Sequence, residues 1–87
     1  MRLVIHPNAL KHGLTVEQIT AAYETGSGGA RVRRGEEDVE PVRWATIGFE
    51  DAGRPVELVF VRGVGEVLVV HANWLTKGFL AQMRRVR

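Results

Sequence analysis

The sequence predicts a small α+β domain in which helices cover an antiparallel β-meander. Residues 42–49 (VRWATIGF), 55–62 (PVELVFVR) and 66–72 (EVLVVHA) are dense in β-branched and aromatic side chains, the composition of strands. Glycine-containing breaks of only a few residues separate them, which favours hairpins, because a parallel crossover needs a dozen or more residues. Flanking this core are stretches whose apolar residues recur at helical rather than alternating spacing.

Taken from the N-terminus, Arg2–Ile5 is a short β-like run. His6-Pro7 follows; proline suits a helix's first turn and pushes its predecessor towards extended backbone. Residues 7–11 therefore read as a helical turn or short helix, closed at His12-Gly13 by a left-handed glycine. Thr15-Val16-Glu17-Gln18 has the form of a capping box. Val16, Ile19, Ala22 and Tyr23 then place an amphipathic helix over 16–24, ended near Gly26, with its apolar stripe on the sheet. Residues 26–41 form an insertion: a flexible Gly-Ser-Gly-Gly linker, a short strand with exposed arginines at 30–34, and a solvated acidic loop at 35–40. After the meander, Asn73 or Thr76 caps a last helix over about 76–85, with Phe79, Leu80 and Met83 on one face. The expected architecture is a sheet of three to four strands with the helices gathered on one side.

The hairpins also imply a register. Pairing Phe49 with Pro55 sets Ile47 opposite Glu57 and Trp44 opposite Phe60. A Gly63-Val64-Gly65 turn sets Phe60 opposite Leu68, Leu58 opposite Val70 and Glu57 opposite His71. One face then carries Trp44, Thr46, Leu58, Phe60, Leu68 and Val70 as a core. The other carries Arg43, Ala45, Ile47, Glu57, Val59, Val61, Val67, Val69 and His71. A slip of one residue exchanges these sets for a whole strand.

Eighty-seven residues suffice for one core and no more. At this size folding buries roughly 60% of the unfolded chain's surface, so stability is expected to be modest. No run of eighteen apolar residues and no signal-peptide pattern occurs, and there is no cysteine. These features suit a cytoplasmic protein that meets no membrane and rule out disulfides and thiolate metal sites. The net charge of +2 is unevenly spread. Glu36, Glu37, Asp38, Glu40, Glu50 and Asp51 crowd the middle, whereas Lys77, Arg84, Arg85 and Arg87 close the chain. Such a tail can meet phosphate or an acidic partner, or simply complement a helix dipole.

Two stretches resemble a known family. Ala9-Leu10-Lys11-His12-Gly13-Leu14-Thr15 ahead of a helix resembles the Lys-His-Gly opening of the BrnT family of toxins. The run from Val42-Arg43-Trp44-Ala45-Thr46-Ile47-Gly48 through the next two strands resembles that family's later strands. With His6 leading, the layout is also similar to a related family of short domains of unassigned function. The resemblance implies a RelE/ParE-type toxin fold. It also implies a type II toxin–antitoxin component: a metal-independent endoribonuclease that inhibits translation, uses no cofactor, and partners RNA and a cognate antitoxin, with homo-oligomers possible. It places Lys11 and Arg43 where that family carries basic functional residues. The chain departs from the pattern at His71-Ala72-Asn73-Trp74, where Asn73 replaces an expected arginine, and in the long insertion.

Metal-free RNA cleavage needs a base for the 2′-hydroxyl, a cation for the phosphorane and an acid for the leaving oxygen. Glu57, Arg43 and His71 are the candidates, in that order. Lys11, His12, Arg62, Lys77, Arg84 and Arg85 are candidate phosphate contacts, and Trp74 a candidate stacking surface. Each has a structural alternative. Glu57 and His71 form a cross-strand pair worth ~0.2–1 kcal/mol. His6 packs at a helix start, His12 ends a helix, and Trp74 covers the core edge. A metal site lacks further ligands at fixed spacing. A non-enzymatic module holding a protein or nucleic acid is the rival reading. It gains if Glu57 and His71 lie beneath a helix, and loses if Arg43, Glu57, His71 and Lys11 converge on one open cationic surface.

Overall fold

The computed structural model describes residues 1–84. Strands β1 (Arg2–Ile5), β2 (Arg31–Val32), β3 (Trp44–Phe49), β4 (Pro55–Gly63) and β5 (Glu66–Trp74) form one sheet in the order β1-β5-β4-β3-β2. Helix α1 (Val16–Gly26) precedes β2, and α2 (Lys77–Arg84) follows β5. The radius of gyration, 12.0 Å, is the about 12 Å expected for one compact domain of this length. No helix among the described residues is long and apolar enough to cross a membrane.

Local signals shape α1. The Thr15 hydroxyl accepts the Gln18 amide while the Gln18 side chain accepts the Thr15 amide, a complete capping box. Upstream, Pro7–Leu10 is a 3-10 turn with His6 as its cap, Nδ1 accepting the Asn8 amide. The turn is followed by Gly13 at φ +89°, a conformation L side chains rarely adopt. Ile19 and Ala22 of α1 are fully buried against Val56, Leu58, Phe60, Val67, Val69 and Ala72 of the sheet. Each fully buried Ile, Leu or Phe contributes about 1.5–3 kcal/mol. Tyr23 adds an edge-to-face contact to Phe60 at 5.2 Å. The helix approaches β3 so closely that a Cβ on Gly48 would lie 1.8 Å from the Ala22 carbonyl oxygen. Thr25 and Thr46 secure this seam: the Thr25 hydroxyl accepts the Phe49 amide, and the Thr46 hydroxyl donates to the Gly26 carbonyl.

Four expectations are corrected. The sheet has five strands and is mixed, because the N-terminal run pairs in parallel with β5 (Leu3 opposite Val67, Ile5 opposite Val69). The helices lie on opposite faces, not one: Phe79 and Met83 of α2 pack on Ala45, Val59, Ile47 and Val70, the face turned away from α1. Of the Gly-Ser-Gly-Gly stretch, Gly26 ends α1 and Ser27–Gly29 is a 3-10 turn rather than an open linker; it leads into β2, whose pairing with β3 continues as the Arg33 amide bonds to the Arg43 carbonyl. The second hairpin turns on Val64 and Gly65 alone, since Gly63 pairs with Glu66. That shift puts Val67 and Val69, not Leu68 and Val70, on the α1 side. The first hairpin's register is as expected, Trp44 opposite Phe60 and Ile47 opposite Glu57.

Candidate active site

β5 carries a bulge. Phe60 pairs with Val69 but Val59 pairs with His71, leaving Val70 as the extra residue. The bulge undoes the register shift, so His71 and Asn73 return to the α2 face. Glu57 lies opposite Asn73, and His71 is its diagonal neighbour. Across that diagonal His71 Nε2 stands 2.7 Å from Glu57 Oε2.

Glu57 is 5% exposed. A buried carboxylate is tolerable only with several donors. Here Oε1 accepts the Thr76 amide at 2.9 Å and the Thr76 hydroxyl at 2.7 Å, and Oε2 accepts from His71. Thr76 in turn caps α2, its hydroxyl accepting the Phe79 amide. One carboxylate thus ties β4, β5 and the start of α2 together. Glu57 lies beneath the helix start with both oxygens engaged, which gives it the geometry of a positioning group rather than of a base open to substrate.

His71 is different. Its side chain is 29% exposed. With Nε2–H donated to the carboxylate, Nδ1 is the basic nitrogen. Against its ring stands His12, edge to face, with centroids 5.6 Å apart. The turn through Gly13 that starts α1 delivers His12 here, from the end of the segment preceding that helix. His12 and its neighbour Lys11 are exposed. Two imidazoles side by side, one oriented by a buried acid, can take a proton from one oxygen and give a proton to another. Sequence reasoning placed His12 at a helix end. Its meeting with His71 depends on the β1–β5 pairing, which no local signal encodes.

The other candidates do not join this pair. The Arg43 guanidinium lies 3.5 Å from Glu36, with Arg33 3.7 Å from the same carboxylate oxygen. Arg62 is on the α1 side, stacked 4.0 Å over Trp44. Lys77 is exposed in the first turn of α2 and Arg84 in the last; Arg85 lies outside the described residues. Trp74 does not offer an open ring: Arg54, held by the buried Glu50 carboxylate at 3.0 Å, stacks on it at 4.1 Å. Arg54, Pro55, Trp74 and Leu75 line a shallow groove of about 300 Å³ at that end of the sheet. Among the described residues, no three His, Asp or Glu side chains are grouped to hold a metal ion.

The chain matches no family model, no curated protein and no solved structure.

Proposed function

We propose that this chain is the ribonuclease toxin of a type II toxin–antitoxin pair, of the BrnT and RelE/ParE kind, and that His71 and His12 carry its chemistry. The observation that supports this best is the buried Glu57 carboxylate fixing His71, with the rest of that imidazole left open beside His12. His71 Nδ1 takes the proton of a ribose 2′-hydroxyl as its oxygen attacks the adjacent phosphorus. The bond from phosphorus to the 5′-oxygen breaks, and His12, entering as imidazolium, protonates the departing oxygen. The products are a 2′,3′-cyclic phosphate and a 5′-hydroxyl end, with no metal or cofactor in any step. Lys11, next to His12, meets the phosphate charge. General acid–base catalysis of this kind contributes about 10²–10⁴-fold.

A second reading, a non-enzymatic module binding a protein or nucleic acid, is favoured by Glu57 lying beneath α2 and by Arg43 being paired within the chain. Purified protein incubated with a single-stranded RNA separates the two. The ribonuclease reading predicts fragments with 5′-hydroxyl ends from the wild type and none from H71A or H12A. Intact RNA with folded wild-type protein supports the module.

A further inference from the structure

The segment 31–43 holds four arginines (Arg31, Arg33, Arg34, Arg43) and four acids (Glu36, Glu37, Asp38, Glu40), and it folds so that Glu36 meets Arg33 and Arg43. The chain turns back after Arg33: the Glu36 amide bonds to the Arg33 carbonyl at 3.1 Å and the Arg33 amide to the Arg43 carbonyl at 2.8 Å. One carboxylate oxygen of Glu36 then lies between two guanidiniums, 3.7 Å from Arg33 and 3.5 Å from Arg43. Its other oxygen is buried and has no hydrogen-bond partner. Carboxylates between two arginines are ordinarily held at shorter, bidentate distances. Glu36 therefore holds both guanidiniums loosely and through one oxygen only.

The sheet register says what this anion site faces. Arg31 pairs with Ala45, Ala45 with Val59, and Val59 with His71, so these side chains share one face. Arg33 and Arg43 continue it by one more step. Strand spacing puts Arg43 on the order of 12 Å from His71 between Cα atoms, with the half-buried Val61 and Leu68 between.

We infer that Arg33 and Arg43 form a phosphate site for the backbone of single-stranded RNA, and that Glu36 occupies it as an internal competitor. The choice of RNA as ligand rests on the function proposed above; the site itself does not depend on cleavage. Incoming phosphate displaces Glu36, and the acidic loop swings off the arginines. The protein then engages RNA with two more cations than its resting surface offers.

The test uses a fluorescein-labelled oligoribonucleotide with 2′-O-methyl sugars, which cannot be cleaved through the 2′-oxygen, read by polarisation across a salt series with the full chain. E36Q should bind about three- to tenfold tighter than wild type because no carboxylate has to be displaced, with the same slope of log affinity against log salt, since both complexes make the same phosphate contacts. E24Q, which removes the same charge from exposed Glu24 on α1, should behave as wild type. Adding R33A or R43A to E36Q should in each case flatten the slope by roughly 0.7, and adding both should abolish the gain in affinity. Equal binding by wild type and E36Q, no binding by either, the same gain from E24Q, or a gain that survives both arginine replacements would overturn the site. RNA that binds in this pattern but is never cut in its natural form would leave the site standing and remove the ribonuclease.

Discussion

Glu57 holds His71 by a diagonal contact across the sheet, Nε2 to Oε2 at 2.7 Å, rather than by facing it directly. The same carboxylate anchors Thr76 and with it the start of α2. Orientation of the His71 ring and docking of α2 therefore share one side chain, and replacements at position 57 should separate the two roles.

E57A strands the Thr76 amide and leaves His71 unsupported. Removing a partner from buried polar groups costs about 1–3 kcal/mol, so E57A should lose that much stability in urea denaturation, with amide exchange rising first in α2. E57Q retains an acceptor for Thr76 and should recover most of the loss. For RNA cleavage, E57Q should lower kcat with KM little changed and shift the pH profile. A purely structural Glu57 would leave that profile unmoved once the protein is folded.

Gly48 is fixed by the seam between α1 and β3. An added methyl would meet the Ala22 backbone at 1.8 Å, and backbone on both sides must move. G48A should therefore cost about 3 kcal/mol or more, the upper range for overpacking. Thermal melts should show the loss, whereas G28A, with open space around the added Cβ, should be nearly neutral.

Glu50 predicts an acid limit to stability. The Ala52 amide, then Arg54 through its side chain and its amide, hold this carboxyl below the usual carboxylate range, against the opposing effect of burial. A folded-state pKa lower than the unfolded one stabilises the fold above the unfolded value, and that contribution is lost as pH falls through the folded one. Wild type should thus exceed E50Q in stability at pH 7. The gap should close on acidification below about pH 4. A gap independent of pH would mean that the charge of Glu50 plays no part in holding the β3–β4 turn.

Much of this arrangement is legible in the chain, for reasons that name its limits. The capping box at Thr15 and Gln18, the Thr76 cap and the first hairpin's register are local, and residue type alone indicates them. The second hairpin is not, because Val67, Leu68, Val69 and Val70 are all apolar and alternation carries no phase there. Reading it as a three-residue turn inverts Val67 and Val69, yet the bulge at Val70 restores His71 to the face of Glu57. The parallel pairing of β1 with β5 joins residues more than sixty apart, and it is this pairing that carries His12 to His71. The placement of α2 opposite α1 follows from Phe79 and Met83 seeking the second apolar face, which alternation along β4 and β5 does reveal once both faces are seen to need cover.

The central claim, that His71 and His12 cleave RNA, is met most directly by mapping RNA ends in bacteria after tightly controlled induction of wild type, H71A and H12A. The account predicts growth arrest and new, defined 5′-hydroxyl ends with wild type, and neither with the folded variants. Normal growth without new ends under wild type, or the same ends under H71A, would contradict it.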